Sequence, residues 1–324
     1  MNKKLFIISL LSLSLICSCG IRKQDVSSNS SSLTTSNISS SSSSIEAPIL
    51  YDEKVDLSYG EYERNKLNLY IPKNKASNGL VLFIHGGAWI SGDKKDYYDS
   101  CKIYSSYGYL SATMNYRYAS EDVTCEDILN DITSAITFIK DYVSSYDIDV
   151  DGLMLGGHSA GGHLSLLYGY KCKDISPVPV KGIISLAGPT DLTHESNYTG
   201  ETKDLAYKIF SYLIGETLSE ENKESKRRLL ENISPLYYVS SSCAPTLIVQ
   251  GDEDLIVNCE NSYFLADKLK ENNVPYELII FPHSGHMLMG DEEKLNETYS
   301  KIGSFIVAAL LKSYRCILSA SSYI

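Results

Sequence analysis

The residues best suited to chemistry form one short string, Gly157-His158-Ser159-Ala160-Gly161. A G-x-S-x-G string carries meaning where it closes a buried strand and opens a helix, because the turn between them must be tight. Leu153-Met154-Leu155 supplies the strand, and the residues from Gly161 to Tyr170 supply the helix. Glycines on either side keep a Cβ from clashing across such a turn. The serine oxygen is then pushed above the sheet at a helix N-terminus, where developing negative charge is favoured. A hydroxyl alone is a poor nucleophile. It needs a base, and the base needs a carboxylate to hold its tautomer.

Chain order narrows the partners, since a strand–turn–helix serine of this kind is followed by Asp or Glu and then by His. Of His85, His158, His163, His194, His283 and His286, only the last two come late enough. Both follow the strand ending in Phe281-Pro282. His286, in Ser284-Gly285-His286, is the preferred base and His283 the alternative. The carboxylate belongs after the strand Thr246–Gln250, in Gly251-Asp252-Glu253-Asp254. Asp254, directly before Leu255-Ile256-Val257, is preferred, whereas Asp252 suits a turn cap. A further string, His85-Gly86-Gly87-Ala88-Trp89, follows the buried run Leu80–Ile84. The backbone N–H groups of Gly87 and Ala88, joined by that of Ala160, can face a developing oxyanion. His85 is expected to brace this loop. Trp89 either floors the substrate pocket or packs the loop.

Strands and helices that alternate along the chain must position these residues. Strands are expected at Lys66–Ile71 (half-exposed), Leu80–His85, Tyr109–Met114, Gly152–Gly157, Gly182–Leu186, Thr246–Gln250 and Glu277–Phe281. Helices are expected at Glu126–Val143, Gly161–Tyr170, Tyr263–Lys270 and Leu295–Leu311. In the first of these, Ile128, Leu129, Ile132, Ile136, Ile139 and Val143 recur at helical spacing. Alternation of this kind predicts an α/β class with a mostly parallel central sheet and helices on both faces. Residues 189–240 break the rhythm. They are polar, with helical pieces near Lys203–Ile214 and Ser219–Leu230, and read as a helical cap insertion over the carboxyl edge of the sheet.

Two other groupings look less capable of chemistry. Asp147-Ile148-Asp149-Val150-Asp151-Gly152 begins like a calcium loop, but its twelfth position is His158 rather than the bidentate Glu. No metal site is expected. Asp127 and Asp131 lie one helical turn apart and read as a solvated helix face.

The N-terminus reads as an export signal. Lys3 and Lys4 precede an apolar run from Leu5 to Ile16, too short to cross a bilayer. Ile16-Cys17-Ser18-Cys19-Gly20 follows, and it resembles a bacterial lipoprotein signal. Cleavage after residue 18 would leave Cys19 to carry the lipid. The protein is then expected on the outer side of the membrane, held to it only by that anchor. Residues 19–45 form a linker, since Ser27–Ser44 holds twelve serines in eighteen positions and cannot build a core. The folded domain is expected over 46–312, with a tail at 313–324.

Composition fits this division. Hydrophobic residues make up 43% of 324, enough for a large core. Lys and Arg number 29 against 40 Asp and Glu, which argues against a nucleic-acid partner. The six cysteines beyond Cys19 are scattered, and a domain of this size needs no disulfide framework.

Taken together, Gly-His-Ser-Ala-Gly-Gly-His-Leu at 157–164, His-Gly-Gly-Ala-Trp at 85–89 and Asn115-Tyr116-Arg117 resemble a known group. They look like the α/β-hydrolase esterases of the feruloyl/acetyl esterase-like and hormone-sensitive-lipase-like groups. The resemblance covers roughly residues 50–312. It implies an α/β-hydrolase fold and hydrolysis of carboxylic esters, without a cofactor, by Ser159, Asp254 and His286. It leaves the acyl and leaving groups open, and export points to a small-molecule or carbohydrate ester outside the cell. Ala88 stands where the hormone-sensitive-lipase-like signature has a third glycine, which brings the chain nearer the feruloyl-esterase-like and kynurenine-formamidase-like members. A formamidase or small-amide hydrolase, and a hydrolase-fold lipoprotein that only binds, are the alternatives.

Overall fold

The computed structural model describes residues 50–75, 78–289 and 292–310. The expected signal (1–18), Cys19, the linker (19–45) and the tail (313–324) lie outside them. Eight strands form one sheet: β1 (Tyr51–Ser58), β2 (Lys66–Pro72), β3 (Gly79–Ile84), β4 (Leu110–Met114), β5 (Gly152–His158), β6 (Val180–Leu186), β7 (Thr246–Gly251) and β8 (Tyr276–Phe281). Their spatial order is β1-β2-β4-β3-β5-β6-β7-β8. β2 runs antiparallel to both β1 and β4, and the remaining neighbours are parallel.

Alternation along β3 shows how the layers are built. Val81 and Phe83 face one side and join a cluster with Tyr97, Cys101, Phe305 and Ile306. These come from or adjoin helices α1 (Tyr98–Ser106) and α7 (Glu292–Leu310). Leu80, Leu82 and Ile84 face the other side, with Ile128, Ile132, Leu164 and Leu167. Those belong to α2 (Cys125–Ser144) and α3 (Ala160–Lys171). Helix α6 (Glu260–Glu271) extends the second layer through Leu265 and Leu269. A strand covered on both faces must be apolar at every position, as β3 is. Helix α3 is buried at every position from Ala160 to Tyr170, so it needs no polar face. Helix α2 starts on a capping box of Thr124 and Asp127, and all six apolar positions anticipated in it are buried.

Connections fix where a site can form. The chain leaves β3 for β4 on one side, then returns through α2 to β5 on the other. This reversal opens a crevice at the carboxyl ends of β3 and β5. The loop bearing Gly87 and the turn bearing Ser159 both leave from it.

Four elements differ from expectation. β1 is an added edge strand, and α1 an added helix; both are rich in polar residues and weakly patterned. β2 is buried rather than half-exposed, because α1 lies over it and Ser105 Oγ donates to the Tyr70 carbonyl. Between β6 and β7 the chain forms α4 (Lys203–Ile214) and a shorter α5 (Arg227–Asn232). Helix α4 ends at Gly215, which takes the left-handed C-cap. The helix expected from Ser219 starts only at Arg227. Asn222 accepts the Ser219 N–H and donates to the Thr217 carbonyl, which favours a turn there.

Candidate active site

Ser159 joins β5 to α3 with φ 56° and ψ −121°. Serine avoids this region, which costs roughly 1–3 kcal/mol and persists only where the surroundings over-determine it. They do. The Ser159 N–H bonds to Leu186 O at 2.8 Å, and its carbonyl accepts from His163 N at 3.0 Å. The last carbonyl of β3, Ile84 O, is wedged against the turn. A Cβ on Gly157 would lie 2.4 Å from that oxygen, and one on Gly161 2.0 Å from it. Only glycine fits at either position, so the spacing of the string is a packing requirement.

His286 reaches the serine from the loop after β8. Its Nε2 lies 2.9 Å from Ser159 Oγ, and its Nδ1 lies 2.8 Å from Asp254 Oδ2. The Asp254 side chain is wholly buried. Its Oδ1 accepts the N–H groups of Ile256 (2.8 Å) and Val257 (2.9 Å), and Oδ2 also accepts Gln250 Nε2 (2.8 Å). Burial alone would raise the Asp254 pKa. The hydrogen bond and charge of His286, with the two N–H donors, outweigh it and hold the carboxyl below its ordinary value. Asp254 is thus an ionised acceptor that keeps a proton on Nδ1 and leaves Nε2 free to accept one.

The alternatives fall away from this centre. His283 is 88% exposed on its side chain and pairs with Glu253. Asp252 accepts the Ser284 N–H at 3.4 Å, within the loop packing.

The loop after β3 is held from several sides. Gly87, Ala88 and Trp89 all have positive φ, at 104°, 50° and 60°. A Cβ on Gly87 would meet Ser91 O at 2.3 Å. The turn closes with the N–H groups of Ile90 and Ser91 on Gly87 O, which leaves those of Gly87 and Ala88 outside it. Ala160 N–H is among the first-turn donors of α3, which have no partner within the helix. The loop runs against the serine turn: a Cβ on Gly86 would lie 2.8 Å from His158 O and 3.4 Å from Ser159 Cβ.

His85 braces the loop, as its position suggested. Its Nδ1–H donates to Gly86 O at 2.7 Å, and its ring stacks on Tyr116. Arg64 Nη2 lies 3.3 Å from its Nε2. Burial, with the Arg64 charge, lowers its pKa to about 4. Trp89 is buried and donates its Nε1–H to His163 Nδ1 at 3.2 Å, while its ring meets Phe210 of α4. Of its two expected roles, packing is the one the geometry supports. His163 Nε2 in turn donates to Ile233 O, which ties the 189–240 segment to α3.

Asp127 and Asp131 do not form a solvated face. Asp131 is buried, and Arg117 Nε binds both of its oxygens at 3.0 Å. Asp127 caps α2 and lies 3.6 Å from Arg117 Nη1. The chain leaving β4 carries Arg117 onto this helix and neutralises it, so the pair is structural. Residues 152–158 of the calcium-like string are strand β5. Among the described residues, no group of three or more His, Cys, Asp or Glu is placed to hold a metal ion.

Three contributors were not legible as such: Gln250, Arg64 and His158. Gln250 carried a weak signal as a polar residue ending an apolar strand. His158 donates from Nε2 to the His286 carbonyl at 2.7 Å, a contact between residues 128 apart.

Known proteins resemble this chain in sequence and in fold. The BD-FAE family model matches residues 67–269, well over half of the chain. The probable carboxylic ester hydrolase LipM of Mycobacterium tuberculosis is 26% identical over 234 residues, 68% of this chain. The chain spans about half of LipM, with 52% of that protein covered. Esterase B of Lactobacillus rhamnosis superposes with a TM-score of 0.65 at 20% identity, covering 82% of this chain and 88% of that one. A truncated carbohydrate esterase from gut microbiota gives 0.66 at 20% identity, covering 80% and 98%. These likenesses identify an α/β-hydrolase fold. The matched segment runs from β2 through α6 and takes in Gly87, Ser159 and Asp254, so the chain belongs to the BD-FAE family.

Proposed function

We propose that this chain is a serine hydrolase that cleaves carboxylic esters through an acyl-enzyme. The observation that carries the reading is the continuous line from Ser159 Oγ to His286 and on to Asp254, with links of 2.9 and 2.8 Å. The Ser159 proton passes to His286 Nε2 as Oγ attacks the ester carbonyl carbon. The resulting oxyanion faces the N–H groups of Gly87, Ala88 and Ala160. The carbon–oxygen bond to the alcohol then breaks, and the leaving oxygen takes the proton from Nε2. Water repeats the sequence: it gives a proton to Nε2, its oxygen adds to the acyl carbon, and Ser159 leaves with the proton restored. Asp254 stays ionised throughout and balances the imidazolium.

For substrate, we propose short-chain acyl or carbohydrate-linked esters met outside the cytoplasm. The ester hydrolase name of LipM and the carbohydrate esterase name of a fold neighbour support this class. So does the export signal read from the sequence, with lipid carried on Cys19 and the membrane reached only through it. A fluorophosphonate probe tests the nucleophile. The expected result is a label on Ser159, located by peptide mass spectrometry; a label elsewhere, or none, counts against the reading. Rates on aryl acetates, acetylated xylo-oligosaccharides and N-formyl amides then define the substrate. Palmitate incorporation lost on Cys19→Ser is the expected result for the anchor, and unchanged incorporation contradicts it.

A further inference from the structure

The two loops that hold His286 and Asp254 are stitched to each other. Asp252 N bonds to Phe281 O at 3.1 Å, Glu253 N bonds to Ser284 O at 3.0 Å, and Asp254 itself holds His286. The serine stands apart on β5, two strands from β7. Among the described residues, two hydrogen bonds run directly from the serine turn to the His286 loop. One is Ser159 Oγ to His286 Nε2, and the other is His158 Nε2 to His286 O. The first cannot survive the proposed reaction. Once Ser159 is acylated, its oxygen has no proton to give and is bonded to the acyl carbon.

We infer that His158 is a positioning residue that keeps the His286 imidazole in place while Ser159 is acylated, and so supports deacylation in particular. The contact is built for this. A carbonyl only accepts, so Nε2 of His158 must carry the proton. The ring is buried and stands 4.7 Å from the His286 ring. Burial, with the charge of His286 nearby, lowers the His158 pKa to about 4, so it stays neutral beside an imidazolium. A backbone carbonyl as acceptor fixes the loop without engaging either catalytic nitrogen of His286. Sequence gave no sign of this role, because the position between glycine and serine in the string carries no spacing rule.

The inference rests on the serine-hydrolase reading, and the test separates the two. Full-length wild type, Ser159→Ala, His158→Leu and His158→Gln are compared on an aryl acetate by steady-state and burst kinetics. Leucine keeps the bulk and removes the donor, whereas the glutamine amide ends near the position of Nε2 and retains an N–H. For His158→Leu, kcat is expected to fall roughly 10- to 100-fold, the scale of a small misplacement of a catalytic group. Because acylation still has the Ser159–His286 bond, kcat/KM is expected to fall less, KM to fall with kcat, and a burst approaching one product per site to appear. Glutamine is expected to restore most of kcat. If His158→Leu does not fold, His158→Asn, whose amide ends nearer the backbone, carries the same test. Unchanged kcat, equal losses in kcat and kcat/KM, or failure of glutamine to restore turnover would overturn the inference. If Ser159→Ala remains active, the hydrolase reading itself fails.

Discussion

Trp89 donates its indole N–H to His163 Nδ1, joining the loop after β3 to the helix that carries the serine. The bond is buried at both ends, so losing one partner leaves the other unsatisfied. Trp89→Phe keeps the ring beside Phe210 but strands His163 Nδ1. A destabilisation of about 1–3 kcal/mol is expected, read as a lower urea midpoint at constant m-value. An unchanged midpoint would show that the bond holds nothing.

The serine turn is predicted to be intolerant of one carbon atom. In Gly161→Ala, the new Cβ would meet Ile84 O, a backbone atom of the central strand, and the strand cannot yield without disturbing β4 and β5. Overpacking costs about 1–3 kcal/mol, and a contact with backbone that cannot yield places this one at the upper end. A thermal melt close to that of the unaltered chain would contradict the packing argument.

Acid should weaken the fold before the carboxylates titrate. His85, His158 and His163 are buried and neutral, each with a pKa lowered to about 4 from 6.5, chiefly by burial. The unfolded chain takes up these protons near pH 6.5 and the folded chain does not until about pH 4. Stability is therefore intact above pH 6.5 and lost as the pH falls through that window, by roughly 1 kcal/mol per pH unit for each histidine. Denaturant midpoints at constant ionic strength between pH 7 and 4 measure the slope. A flat profile would mean that all three rings are charged in the fold, and a reduced slope that one or two of them are.

Asp254→Asn tests the orienting carboxylate. The amide preserves shape but can donate toward Nδ1, favouring the wrong imidazole tautomer. A loss of about 10⁴ in kcat is expected, with the fold retained. Activity within tenfold of the unaltered chain would move the orienting role to another residue.

The candidate triad is more legible in the sequence than the residues that support it. The nucleophile string is legible because Gly157, Ser159 and Gly161 obey one local steric rule. His286 and Asp254 are legible because chain order and strand ends prune the choices. What escaped depends on distant partners. Asp131 looked like a surface acid because the Arg117 that binds it lies 14 residues away, on another element. β1 and α1 escaped because their residues are mostly polar, and their places come from pairing with β2 and covering it. β2 looked half-exposed for the same reason, since its cover was the helix that went unseen. The segment from Ser219 to Lys226 has helical composition, but Asn222 commits it to a turn.

The central claim is that Ser159 attacks. Its most direct measurement is kcat on a short-chain aryl acetate for Ser159→Ala against the unaltered chain, with circular dichroism to show that both are folded. The account predicts a loss on the order of 10⁴–10⁶ in kcat. A folded alanine variant that still turns over at a comparable rate would contradict it.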